Sequence, residues 1–338
     1  MKAEGIGWGK LFVAGEYAVV HTGHPAIILA TDRCIRVMIE TSNRFSLINT
    51  NNQKEIVFDD LNVKDEYWKF AIAALNVFYR LLQERGCFYT PVSITVNSDL
   101  DSEDGRKLGL GSSGAIVAAI IKGLNRFYHL NLNSISMFKL CVISQSDLNV
   151  QGSYGDLAAA VYGGIIQYTR FADIYMTGSI SDLLNKEWPQ LSIAYLEFPF
   201  ELHWVVGWTG EPASTQSRVD WVREFRKNED YIHLLDLSKK IVYEMIQSHD
   251  VEVFLAGIRQ YRDWLNQLEK LSGLTIETPK IKSFVEVCSQ RHGSGKSSGA
   301  GGGDCAIAFF PHPIAINDIL LSKGIMPLTI SIAEREVV

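Results

Sequence analysis

Six consecutive residues, Gly109, Leu110, Gly111, Ser112, Ser113 and Gly114, lead straight into a run of apolar residues spaced three and four apart. Glycines let a backbone approach a ligand closely, and the first amides of a helix point outward without intrahelical partners. The helix dipole adds partial positive charge at that end, so the spacing describes an anion site. Ser112 and Ser113 contribute hydroxyls that can bond a phosphate or ligate magnesium, a hard cation that prefers oxygen. The same residues fit GxGxxG, a dinucleotide fingerprint, but the polar stretch 98–107 separates them from the nearest expected strand. A dinucleotide turn follows its strand directly, and no acid closes a second strand at the expected distance. A tight turn with a serine cap is the third use of such residues.

Three other segments have chemistry-bearing types. Residues 293–304, GSGKSSGAGGGD, miss the Walker A spacing because position 290 is Gln. They also run into an apolar strand rather than a helix. A glycine loop lining a nucleotide or acceptor site and a surface linker both fit. Asp156 follows a glycine-rich turn and opens an alanine-rich helical stretch, where it serves as a helix cap or as a site carboxylate. Lys10 begins an apolar strand that leads to Glu16, and is either a solvated edge charge or a cation that compensates phosphate. His21 and His24 lack a third ligand nearby, so zinc is not expected, and neither HExxH nor GxSxG occurs.

These segments need elements to hold them. Apolar residues recur at helical spacing over 66–85 and 113–130, with further helices expected over 232–246, 251–271 and 280–291. Strand-like runs occupy 33–40, 91–97, 163–168, 193–198, 204–208, 305–310 and 328–332. Without regular βαβ alternation, this mixture predicts an α+β fold rather than a doubly wound parallel sheet. The length of 338 residues calls for two packed domains, and the loop at Pro189 suggests 1–190 and 191–338.

With 47% hydrophobic and 21% charged residues, the chain has material for full cores. A formal net charge of -6 offers no basic footprint for nucleic acid, so anionic substrates need a local cationic cleft. Cys34, Cys87, Cys141, Cys288 and Cys305 are odd in number and contain no CxxC pair, which fits reduced thiols in a cytoplasm. No segment reaches membrane-spanning length, so no membrane partner is expected. Monomer and homodimer both remain open.

Taken in order, GKLFVAGEYAVV, GLGSSG and KSSGAGGGDC resemble the three motifs of the GHMP kinases, and the resemblance spans the chain. With GSYGDLAAAVYGG and VGWTGEPAST, they look most like the bacterial-type phosphomevalonate kinase branch. The resemblance implies an N-terminal domain of the ribosomal-protein S5 domain 2 type and a ferredoxin-like C-terminal domain. It also implies transfer of the ATP γ-phosphate to 5-phosphomevalonate. Residues Gly109 to Gly114 would then hold the ATP phosphates, with Ser112 the first choice for Mg2+. Lys10 and Asp156 match the family's catalytic lysine and aspartate. Tyr17, Lys107 and Ser153 become candidates for holding the acceptor, and Ser298, Gly299 and Ala300 form the third-motif wall.

Two departures stand out. Trp8 and Gly9 replace the usual Pro-Gly before Lys10, and Arg106 and Lys107 stand where a Pro often precedes the second motif, cations that suit a doubly charged acceptor. Mevalonate kinase, diphosphomevalonate decarboxylase and a non-catalytic ligand-binding relative share the same loops and are the competing readings.

Overall fold

The computed structural model describes residues 1–102, 104–174, 176–211, 225 and 228–336. The chain opens on β1 (Lys2–Ala14) and β2 (Pro25–Thr41), paired antiparallel with register shifts between Trp8 and Gly9 and between Phe12 and Ala14. The start of β2, from Pro25 to Thr31, is buried on both faces, whereas its far end alternates. An unbroken apolar run gives the first pattern, and a strand with one wet face gives the second. After β3 (Phe45–Asn49), β4 (Glu55–Phe58) and α1 (Lys69–Glu84) comes β5 (Val92–Ser98), which takes the far half of β2.

Four helices follow, α2 (Ser112–Phe127), α3 (Ser134–Asp147), α4 (Gly155–Tyr162) and, beyond β6 (Ile165–Thr169), α5 (Ile180–Asn185). β6 pairs the near half of β2, and β7 (Ser192–Tyr195) pairs β6, completing a seven-stranded sheet. The last strand of this sheet thus ends at Tyr195. Helix α2 lies directly on β1: a Cβ on Gly7 would stand 1.9 Å from the Ala115 carbonyl oxygen, and one on Gly5 2.0 Å from that of Ala119. Only glycine permits so close an approach, which fixes the helix that carries the anion turn to the strand that carries Lys10.

The remainder builds β8 (His203–Trp208), α6 (Glu229–Ile246), α7 (Val251–Ser272), α8 (Pro279–Ser289), β9 (Ser294–Ser297), β10 (Cys305–Phe310), α9 (Asn317–Ser322) and β11 (Met326–Leu328). Its sheet runs β11-β8-β10-β9 and is antiparallel throughout, the order 4-1-3-2 of a ferredoxin-like layer. Asn228, Asp250 and Thr278 cap α6, α7 and α8 through their side chains, and Gly273 ends α7 at φ 70°. Each is a residue type that satisfies otherwise orphaned helix-end groups. No helix among the described residues is long and apolar enough to cross a membrane.

Beyond β11 the chain returns to the first sheet as a strap. Asp32 N–H donates to the Ser331 carbonyl, Ala333 N–H to that of Ala30, and Gly164 N–H to that of Ala333. The strap ends with Glu336 paired to Lys122 at 2.8 Å and Arg126 at 3.0 Å, both on α2. The strand expected over 328–332 is thus mostly strap, with Thr31 and Ile332 forming a single bridge. Residues 212–215 of the VGWTGEPAST segment lie outside the described residues.

Candidate active site

Between the two layers lies a cavity of about 400 Å³, walled by β1, the turn before α2, the turn before α4 and the loop after β9. The turn owes its shape to two glycines in the left-handed region, Gly109 at φ 76° and Gly111 at φ 87°. A Cβ on Gly109 would lie 2.4 Å from the Asp304 Cβ, and one on Gly111 3.1 Å from Lys10 Cγ. These glycines therefore serve the backbone's hand and the neighbouring side chains together. The Lys10 amide donates to the Leu110 carbonyl at 2.8 Å, holding the turn to β1. Ser112 and Ser113 open α2 at the cavity wall.

Lys10 lies inside β1 rather than at a strand edge, and its Nζ donates to the Gly109 carbonyl at 3.0 Å. Asp156, in the first turn of α4, shares the cavity with it, yet no ion pair joins the two. Burial raises the Asp156 carboxyl above the usual carboxylate range, against the opposing pull of the Lys10 charge. A cation and a carboxylate thus face one space next to a helix N-terminus, an arrangement suited to phosphate chemistry.

The second glycine segment lines the cavity through Ser298, Gly299, Ala300 and Asp304, but only part of it is loop. Residues Ser294–Ser297 form a buried strand, so the loop proper begins only at Ser298. Lys296, the residue that invites comparison with a Walker lysine, is committed elsewhere: its side chain is 0% exposed and paired with Glu16, itself 2% exposed. Its Nζ also donates to the Ser297 carbonyl at 2.6 Å. Glu16 Oε1 additionally accepts from Gly299 N–H at 3.4 Å. Ser298 Oγ donates to the Phe12 carbonyl at 3.1 Å, and the Tyr17 hydroxyl donates to the Ala300 carbonyl. The loop is therefore bolted to the end of β1, with Tyr17 held at φ 62°, a strained setting for a residue with a Cβ.

Ser153 lines the cavity beside Tyr154, its Oγ accepting from Gly155 N–H at 3.2 Å. Lys107 stands exposed at the rim. Arg106 does not join it. Its guanidinium stacks 4.7 Å from the Trp208 ring and bonds Asp104 and the Gly210 carbonyl, so one of the two cations expected beside the loop is spent on structure. Gly114 alone among the expected site residues is absent from the cavity wall, buried behind it against Asp156. His21 Nε2 is hydrogen-bonded to the Tyr231 hydroxyl at 3.0 Å.

Sequence reasoning assigned no role to Glu16, and it passed over Gln145, Phe70, Leu100 and Asp304, all of which line the cavity. Asp304 was visible as the residue that closes the glycine run; the apolar wall residues come from elements far apart in the chain and carried no local signal.

Residues 69–164 match the N terminal domain of the GHMP kinases and residues 243–322 their C terminal domain. The phosphomevalonate kinase of Streptomyces sp. (strain CL190) is 34% identical over 332 residues, covering 89% of this chain and 87% of that protein. Among solved structures, a Lin0012 protein from Listeria innocua superimposes with a TM-score of 0.93 at 32% identity, over 99% of both chains. The Streptococcus pneumoniae phosphomevalonate kinase in complex with phosphomevalonate and AMPPNP gives 0.86 at 25% identity, over 98% of this chain and 99% of that one. With matches over both halves and a relative aligned along most of its length, the chain belongs to the GHMP kinases.

Proposed function

We propose that the chain is a phosphomevalonate kinase, moving the γ-phosphate of ATP onto the phosphate of (R)-5-phosphomevalonate to give (R)-5-diphosphomevalonate and ADP. The observation that carries this reading is the meeting of Lys10, Asp156 and the opening turn of α2 in one cavity with Lys107 at its rim. Kinship with the Streptomyces and Streptococcus enzymes supports the choice of acceptor.

The ATP phosphates lie along Gly109 to Ser113, where helix-start amides compensate their charge. An oxygen of the acceptor phosphate attacks the γ-phosphorus, the bond from that phosphorus to the β–γ bridging oxygen breaks, and ADP leaves. Such a transfer asks a protein chiefly for alignment and charge compensation. Lys10 supplies both, between donor and acceptor. The attacking oxygen is largely ionised already, since the second pKa of a phosphate monoester is about 6. Asp156 therefore orients Lys10 and the acceptor and takes any residual proton. Lys107 and Ser153 hold the acceptor, Tyr17 backs it, and Ser298, Gly299 and Ala300 close the far wall.

Magnesium fits this donor set. Among the described residues no group of three His, Cys, Asp or Glu could hold a metal. That suits an ion which keeps several waters and substrate phosphates as ligands and takes only one or two protein oxygens. Ser112 would be the donor of choice, with Asp156 lining the same cavity, and the ion would supply charge neutralisation to the triphosphate. Acting on small soluble phosphates, the enzyme works in the cytoplasm.

The deciding experiment is an ADP-release assay with mevalonate, 5-phosphomevalonate and 5-diphosphomevalonate as acceptors. Turnover with 5-phosphomevalonate is expected, and turnover confined to mevalonate would overturn the assignment.

A further inference from the structure

Ser153 reaches the cavity from the last residue before a bend in the chain, and Tyr154, which follows it and leads into α4, takes the left-handed region at φ 60°. A residue with a Cβ adopts that setting only where its surroundings impose it. What holds the peptide between the two lies outside the turn. The Tyr168 hydroxyl, on β6, donates to the Ser153 carbonyl at 2.6 Å, and no other group among the described residues donates to that carbonyl. β6 is paired along both edges, by β2 and by β7, and the Tyr168 ring is wholly buried, edge-on to Phe138 of α3. Burial pushes the hydroxyl well above the usual phenol range, so it stays protonated and remains a donor. We infer that Tyr168 is a positioning residue for the acceptor: from inside the sheet its hydroxyl fixes the plane of the Ser153–Tyr154 peptide and so presents Ser153 to the cavity.

This inference rests on the kinase reading, in which Ser153 holds the acceptor. A peptide whose carbonyl is tethered to a doubly paired strand has one orientation. Untethered, it is free to rotate and to relieve the left-handed setting of Tyr154, and Ser153 turns with it. Tyr168→Phe removes a single oxygen and leaves the ring in its seat, so the Ser153 carbonyl loses its donor while the packing stays. The turn at 109–114 is held separately, by the Lys10 amide on the Leu110 carbonyl. The loss is therefore expected to fall on the acceptor and not on the nucleotide, whereas a hydroxyl that only stabilised the fold would single out neither substrate.

The experiment measures thermal melting and steady-state kinetics, with ATP and 5-phosphomevalonate varied in turn, for the wild type, Tyr168→Phe, Ser153→Ala, the double variant and Tyr79→Phe. Tyr79 is the control: its hydroxyl, on α1 and away from the cavity, donates to the Thr90 carbonyl at 2.9 Å. Tyr168→Phe is expected to lower kcat/KM for 5-phosphomevalonate about 10-fold while the KM for ATP stays within about twofold. In the Ser153→Ala background it is expected to cost less than about twofold, the signature of two residues acting as one unit. Tyr79→Phe is expected to melt lower with both substrates' kinetics within about twofold of wild type. A Tyr168→Phe enzyme whose kcat/KM for the acceptor lies within about twofold of wild type overturns the inference, and so does an equal loss in the Ser153→Ala background or the same kinetic loss in Tyr79→Phe. A Tyr168→Phe chain that does not fold overturns it too, because the hydroxyl is then structural. An inactive wild type indicts the kinase reading instead, so the two failures are distinguishable.

Discussion

Removing the ammonium of Lys296 tests how the two layers are held in register. Lys296→Met keeps most of the volume and deletes the charge, leaving Glu16, 2% exposed, without its cationic partner. Glu16 retains one contact with Gly299 N–H at 3.4 Å, and its second oxygen has no hydrogen-bond partner. Breaking a buried pair from one side costs about 3–5 kcal/mol, because a desolvated charge is left behind. Unfolding entropy of about 2.1 cal/mol/K per residue over 338 residues amounts to about 0.7 kcal/mol/K. The expected loss in Tm is therefore about 4–7 °C. Adding Glu16→Gln should restore most of it, since replacing both partners removes the stranded charge. Differential scanning fluorimetry and urea titration of wild type, single and double variants supply the measurement. A single variant melting within about 1 °C of wild type, well below the calculated loss, would refute the claim that this pair bolts the glycine loop to β1.

Lys10→Ala should leave the KM for ATP within a few fold and lower kcat by on the order of 100- to 1000-fold, the usual loss when one preorganised donor to a developing charge is removed; near-normal turnover would end its assignment. Asp156 has a folded-state pKa above its unfolded value, so its contribution to stability is present below the unfolded pKa and disappears as pH rises through the folded pKa. Asp156→Asn should consequently be more stable than wild type at neutral pH, with the gain fading on acidification toward the ordinary carboxylate range; a gain that does not vary with pH would contradict the burial argument. Glu336→Gln strips the counter-charge from Lys122, whose side chain is 1% exposed. It should cost about 3 kcal/mol, read as a Tm lower by about 4 °C, whereas an unchanged melt would make the strap's last contact ornamental.

Local periodicity made the helices legible. The stretches expected over 66–85 and 251–271 are realised as Lys69–Glu84 and Val251–Ser272, because their apolar faces repeat at the helical period and their ends carry recognisable stops. Helix Ser134–Asp147 escaped notice since its buried residues lie on nearly every side, leaving no stripe to read. The short strands Phe45–Asn49 and Glu55–Phe58 were hidden among polar residues. At the site, residue types and spacing pointed to the turn at 109–114, whereas Lys10 and Asp156 were singled out by resemblance to the family's motifs; the fold brings all of these except Gly114 to the wall of one cavity. The Glu16–Lys296 pair could not be read in this way: its partners are 280 positions apart and nothing local marks either as buried.

The strap gives this architecture an order of assembly. Glu336 reaches Arg126 across 210 positions of chain, and in doing so meets Lys122 on the helix whose opening turn lines the cavity. During synthesis that helix is made before Glu336, so Lys122 gains this partner only when the far end of the chain returns to the first sheet. A fragment cut between the layers lacks Glu336 and with it this pairing of Lys122 and Arg126. The half that carries the turn at 109–114 is completed by residues that follow the whole of the other half in the chain.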